Sequence, residues 1–529
     1  MQQIAAADVK RLLADADELA LLDVREHGQY GEGHPFFSVH LPYSELEARA
    51  PALLPCRHSL CVVFDDGDGV ADRAAHILEQ MGYRNVAVLA GGVAAWTAAG
   101  FTLFKGVNVP SKAFGELVEH GLQTRSLTAP QLQRMLDNDE PVAVFDGRAP
   151  AEFRKMSIPG ARSCPNAELG YRVPTLVPDA STPVVVNCAG RTRSIIGAAT
   201  LQLLDLPNPV FALKNGTQGW RLAGFELNHG LMPEPLPMPA TDQIEQARAK
   251  ARTLIERYAV PTVTADTVRA WHLEDKRSTY LFDVRTAEEF AAGSVAGAVH
   301  APGGQLVQAT DEKVAVRGAR IVVYCDTGLR AATTAVWLRG MGHDVSVLLV
   351  KSDALSRPAA HNRTEATADA DSAHLPLAAI APAVQAGAVL LDASRSMDYR
   401  RGHIDGARWV SRARLAALAL PAAANVIVTG RSKALIAGVL TDLRIAGIEA
   451  QATDAAGPDD WRAAGLSVVA TPEQPADDAC IDFLFFVHDR HDGNLDAARR
   501  YLAWELGLVD QLDEQERAVL RVPQPATAA

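Results

Sequence analysis

The chain has 529 residues, 48% hydrophobic and 22% charged, the make-up of a globular protein of roughly three to five domains rather than a rod, a collagen-like chain or a disordered one. Acidic residues outnumber basic ones, 63 to 51, for a net charge of −12 with no basic tract, which argues against a nucleic-acid partner. No apolar run reaches the ~18–20 residues of a membrane helix, and no basic-then-apolar leader opens the chain. Six cysteines, at 56, 61, 164, 188, 325 and 480, form no framework of pairs, so a reducing cytoplasm with free thiols is expected and a membrane partner is not.

An internal repeat organises the chain. An apolar run ending in Asp appears as LLDVRE (Asp23, Arg25), VFDGRA (Asp146, Arg148), LFDVRT (Asp283, Arg285) and LLDASR (Asp392), with the aspartates 123, 137 and 109 residues apart. Pro42, Pro165 and Pro302 each follow their Asp by 19 residues, and Ser411 holds that place in the fourth copy. A second apolar run (CVVF, VVVN, IVVY, VIV) leads to Asp65, Cys188 and Cys325, each 42 residues past its Asp, and to Thr429 after 37. A helical pattern follows each, and three copies then show a Gly-containing turn with Trp96, Trp220 or Trp461.

Short strands alternating with helices predict an α/β fold of four tandem domains, each a parallel sheet flanked by helices on both faces. They span 1–105, 126–232, 261–356 and 376–475, with a helical C-terminal extension over 476–529. Residues 106–120 read as a packed linker with a helix from Ser111 to His120, and PEPLPMP (233–239) as a Pro-rich joint. A linker helix over 241–258 is expected with Thr241 as its cap, and HNRTEATADADSAH (361–374) reads as a polar linker. In the extension, 480–508 predicts a buried strand, a polar loop and an amphipathic helix capped near Asn494.

The chemistry is expected where the second strand turns into a helix. Cys188-Ala-Gly-Arg-Thr-Arg193 and Cys325-Asp-Thr-Gly-Leu-Arg330 are both Cys, four residues, Arg. A loop entering a helix presents unpaired amides and the positive end of the helix dipole. A thiol at its centre should ionise more readily and become nucleophilic. An isolated cysteine at a strand end is ordinarily a buried apolar residue, but recurrence in register with the same Arg spacing favours the nucleophile. Cys56, Cys61, Cys164 and Cys480 lack that context and read as structural. The Asp–Arg pairs read as structural ion pairs or turn anchors, with Glu152 and Glu289 in the same scaffold, and the tryptophans as core.

Strand-end Asp-x-Arg, Cys loop, following helix and late Gly/Trp turn together resemble the rhodanese-like sulfurtransferases over residues 1 to about 475. The resemblance implies that a loop cysteine takes the outer sulfur of a small anionic donor such as thiosulfate as a persulfide. Sulfite leaves, and the sulfur passes to cyanide, a thiol or a protein acceptor. Cys188 and Cys325 would then be the nucleophiles. Ala189, Gly190, Arg191, Thr192 and Arg193, and Asp326, Thr327, Gly328, Leu329 and Arg330, would bind the donor. Arg191 adds a second cation to the first loop. Asp326 should raise the thiol of Cys325 and make it the weaker site.

Asp65 and Thr429 cannot carry a persulfide, so domains one and four are silent, each expected to serve structurally or to shape a neighbour's active site. Two alternatives stand beside this reading. One is a persulfide carrier without efficient turnover; the other is a phosphatase of the same fold, whose Cys–Arg loop is one residue longer. Mercaptopyruvate ranks lower as donor because relatives specific for it lack the terminal Arg. No cofactor is expected. The cluster His488 to Asp492 holds possible metal ligands, but with the ligands crowded on one loop a metal is not expected either.

Overall fold

The computed structural model describes residues 2–15, 17–274, 276–350, 374–418, 420, 424–488 and 494–526. Most of the polar linker expected over 361–374 and four members of the His488–Asp492 cluster (Asp489, Arg490, His491 and Asp492) lie outside these residues.

Four parallel sheets repeat one plan. In the first, the strands run in the order Gln2–Ile4, Val86–Leu89, Leu60–Phe64, Leu19–Asp23, Val39–His40. The second runs Ser126–Leu127, Val210–Leu213, Val184–Asn187, Ala143–Asp146, Arg162–Ser163. The third runs Thr262–Val263, Asp344–Leu348, Arg320–Tyr324, Thr279–Asp283, Val299–His300. The fourth has four strands, Arg408–Trp409, Val389–Asp392, Val426–Thr429 and Ala450–Ala452, beside a small antiparallel pair, His403–Ile404 with Val468–Val469. Central strands such as Val184–Asn187 are buried at every position, as continuous apolar runs must be when helices cover both faces. Trp96, Trp220 and Trp461 are fully buried.

The strand-end Asp and Arg close the next turn in three domains. Arg25, Arg148 and Arg285 each donate from Nε and Nη2 to the Asp two residues earlier. Each also donates to a carbonyl eight residues on, of Gly33, Met156 or Gly293, at 2.7, 2.6 and 2.5 Å. Such a buried, fully bonded pair orients a turn and leaves no group free for chemistry.

The chain divides into two compact units that do not follow its order. One contains residues 1–13, 19–106 and 360–485, and the other 14–18, 107–359 and 486–529. Both domains lacking a loop cysteine therefore share the first unit, and both with one share the second. Within the first unit Arg412 donates to the carboxylates of Glu47 and Asp442 and to the carbonyl of Tyr43. Within the second, Trp337 donates to the hydroxyl of Thr200 at 2.9 Å.

Several local expectations are corrected. The linker helix is Thr241–Arg257, with Ala240 as its cap; Thr241 is its first residue, and Gln243 accepts the Ala240 amide instead. The helix of the first linker is Val109–Gly121, longer than 111–120 and extensively buried. The apolar run after Cys480 is not a strand. Ile481 accepts the Gly28 amide at 2.7 Å and Leu484 packs on Gly31, leaving no sheet edge to join, and a short helix, Phe485–His488, follows. The expected amphipathic helix, Leu495–Leu506, is capped by Asn494, which accepts the Ala497 amide at 3.0 Å. No helix among the described residues is long and apolar enough to cross a membrane.

Candidate active site

Strand Val184–Asn187 ends at Cys188, and helix Thr192–Leu203 begins four residues later. The turn that precedes Trp220 holds this loop from below. The Cys188 carbonyl accepts the Thr217 amide at 2.8 Å, and the Ala189 carbonyl accepts that of Gln218 at 3.1 Å. A Cβ on Gly216 would lie 2.2 Å from the Cys188 oxygen, and its φ is +53°. Only glycine allows that approach in that conformation. The first domain repeats the device: Asp65 accepts the Val93 amide at 2.9 Å, and a Cβ on Gly92 would lie 2.3 Å from the Asp65 oxygen.

Residues 188–193 border a cavity of about 290 Å³, together with Asn108 and Lys112 of the first linker, Gln218, Gln305, Gln308 and Glu312, and Tyr501 and Glu505 of the extension. The helix before domain two, the domain-three segment near Gln308 and helix Leu495–Leu506 thus complete the second domain's loop.

Cys188 is 2% exposed. Contrary to the expected depression, burial pushes its thiol up, with Arg193 and the hydroxyl and amide of Ser194 opposing. The loop closes over the sulfur, and lost hydration outweighs the donors. Arg193 lies against Glu152, its nitrogens 2.6 and 2.8 Å from the carboxylate oxygens. Burial works against ionisation of Glu152, but Arg193, and then Arg148, hold it at about 2. Glu152 is therefore the partner of the loop's arginine rather than part of the Asp146–Arg148 scaffold. Arg191 is not a free second cation. It is 4% exposed, bonds Glu116 at 2.7 and 2.8 Å, and also bonds Glu119.

The third domain's loop is more closed. Cys325 is 3% exposed and its Sγ accepts the Ala331 amide at 3.3 Å. Burial raises its thiol, Arg330 opposes, and Asp326 raises it further. Arg330 is 0% exposed and donates to Glu168 at 2.8 Å, Glu289 at 2.6 and 3.0 Å and Asp326 at 2.7 Å. Its guanidinium, expected to assist an anion, is already surrounded by carboxylates. Glu289, like Glu152, reaches a loop arginine, and although burial opposes it, Arg330 holds it at about 2. Thr327, Gly328 and Leu329 complete the turn, with Gly328 in the left-handed region at φ +79°.

The two loops without a cysteine are filled from within. Asp65 accepts the amides of Gly67 and Ala71, each at 2.8 Å. Thr429 accepts the hydroxyl of Thr453 at 3.0 Å. The remaining cysteines, 56, 61, 164 and 480, are buried and unpaired, and burial lifts Cys61 to about 12.

Sequence reasoning passed over Glu116, Lys112, Gln218 and Glu505. Gln218 lies within the KNGTQGW turn that was read only for its tryptophan. The others sit on helices Val109–Gly121 and Leu495–Leu506, where no motif marks them.

A rhodanese-like domain model matches residues 5–99, 128–223 and 264–350. The crystal structure of a thiosulfate sulfurtransferase from Pseudomonas aeruginosa is 38% identical, covers 98% of this chain and 99% of its own, and superposes with a TM-score of 0.88. A thiosulfate sulfurtransferase of Azotobacter vinelandii is 26% identical over 212 residues, 36% of this chain and 77% of that one. Matched by the family model along more than half its length and by a full-length relative, a chain of repeated parallel sheets with two strand-to-helix cysteine loops belongs to the rhodanese-like family.

Proposed function

We propose that the protein is a sulfurtransferase that moves a sulfane sulfur from an anionic donor, thiosulfate foremost, through a persulfide on Cys188 to a thiol or cyanide. One observation carries the reading: Cys188 borders a cavity at the start of a twelve-residue helix, with Arg193 at the end of its loop. The Cys188 thiolate attacks the outer sulfur of thiosulfate, the new S–S bond forms, and sulfite departs with the electron pair of the bond that breaks. The acceptor, through the sulfur of a thiol or the carbon of cyanide, then attacks the outer persulfide sulfur, and Cys188 leaves as thiolate. The helix amides and Arg193 favour the negative sulfur against the burial that opposes it. The relatives named for thiosulfate support the donor, and six unpaired cysteines suit a reducing cytoplasm.

The test is intact mass after thiosulfate treatment, with sulfite release measured alongside. A gain of about 32 Da, one sulfur, in the wild type and Cys325→Ser but not in Cys188→Ser supports the reading. No gain in any of the three removes it.

A further inference from the structure

Helix Leu495–Leu506 places a carboxylate on the Cys188 loop. Glu505 is 2% exposed, and its Oε1 accepts the Thr192 hydroxyl at 3.0 Å. Its Oε2 lies 2.9 Å from where a Cβ on Gly190 would stand and has no hydrogen-bond partner. On the same wall, both amide atoms of buried Gln218 are also without partners. Leaving a buried polar atom without a partner is costly, so two such side chains beside one cysteine point to a bound group that satisfies them.

The charges around the cavity say which kind. Arg193 is matched by Glu152, and Arg191 by Glu116 and Glu119. The Lys112 ammonium donates to the Val107 carbonyl and lies 4.9 Å from the Trp504 ring centre and 5.5 Å from that of Tyr501. Among the described residues Glu505 and Glu312, both on the cavity wall, form no ion pair. Asn108, Gln305 and Gln308 add neutral amides. Two carboxylates set against the one Lys112 ammonium leave the balance of unmatched charge at this cavity negative.

We infer that the Cys188 cavity selects a sulfur acceptor whose thiol arm carries a positively charged amino group, with Glu505 as the specificity-determining residue and Glu312 as a second carboxylate. This rests on the sulfur-transfer reading above and names the acceptor class. The acceptor's sulfur attacks the outer persulfide sulfur, its proton goes to solvent, and its ammonium stays beside Glu505. Glu505 acts on the charged arm and takes no part in the bonds that form and break.

The full chain is charged with thiosulfate, the persulfide on Cys188 is confirmed by mass, and excess donor is removed. Discharge is then timed with cysteamine, 2-mercaptoethanol and 3-mercaptopropionate, each rate expressed per thiolate. In the wild type the cationic thiol should react about tenfold faster than the anionic one, and in Glu505→Gln the ratio should fall to about two- or threefold. Gln keeps the acceptor for Thr192 and the shape of the wall. Glu312→Gln should lower the ratio by a smaller factor, and it keeps the test alive should the Glu505 variant fail to fold. A loss of folding or of loop geometry would slow all three thiols together, whereas loss of charge selection changes their ratio. Equal rates for the three thiols on a charged wild-type enzyme, or a ratio unchanged in both variants, overturn the inference and leave sulfur transfer standing. Failure of Cys188 to take up sulfur overturns both.

Discussion

The amide of Ala331 donates to Sγ of Cys325 at 3.3 Å. In the first domain the amide at the same place, that of Ala71, donates to Oδ2 of Asp65 at 2.8 Å. A carboxylate has replaced a sulfur on the same donor, six residues along in each loop. Domain one thus keeps the anion cradle of its family and fills it with its own side chain.

Asp65→Ala leaves the amides of Gly67 and Ala71 without this acceptor. The variant should lose about 1–3 kcal/mol locally, and hydrogen exchange in a peptide spanning residues 65–80 should accelerate. Sulfur transfer, proposed here for Cys188 in the other unit, should be unchanged. Exchange as slow as in the wild type would show that the cradle does not depend on its carboxylate.

The two cysteine loops should not contribute equally. Cys188→Ser is expected to lower sulfite release from thiosulfate by more than ~10³-fold, as removal of a nucleophile does. Cys325→Ser should keep most of the rate, because Arg330 beside Cys325 is already bonded to three carboxylates. Equal losses would refute this ranking.

Arg330 is expected to matter for folding. Arg330→Met strands Glu168, Glu289 and Asp326 around a buried space, and breaking a buried ion network costs about 3–5 kcal/mol. A fall in the urea midpoint of unfolding is the readout. Arg193→Met should cost less, since its partner Glu152 is 40% exposed at the side chain, and should act mainly on transfer.

Glu26 gives a pH signature in the first unit. It is buried, accepts from the hydroxyl and amide of Ser44, and is raised to about 7 by burial, with Asp482 adding to the rise. An acid whose folded value is raised binds its proton more tightly in the native state. Its contribution is therefore favourable at low pH and is lost as pH climbs from the unfolded carboxyl range through about 7. Glu26→Gln should be more stable than the wild type at pH 8, by up to ~3 kcal/mol, with the gap closing by pH 4. Thermal melts at both pH values decide it, and a gap independent of pH would assign the effect to packing.

Sequence and structure agree where one residue type does a local job. The strand-end aspartates, the loop cysteines and the tryptophans recur at fixed intervals because each domain repeats the same backbone. What stayed hidden depends on residues brought together across long separations. Glu116 and Glu119 cancel Arg191 from a linker that has no counterpart in the repeat. Glu168 reaches Arg330 from 162 residues away, and Glu505 reaches Thr192 from 313. The direction of the thiol shift was misjudged for a related reason: a loop motif shows its donors, whereas burial is set by everything packed around it.

The first unit joins residues 1–13 and 19–106 to 360–485. On a ribosome adding ~5–20 residues per second, its opening domain emerges tens of seconds before its other half exists. The cysteine-bearing pair, contiguous from 107 to 359, can assemble during that interval, although Glu505 arrives only at the end. Synthesis order therefore separates the two units in time: the one without loop cysteines waits longest for its complement, and it is there that destabilising substitutions should most reduce the yield of finished protein.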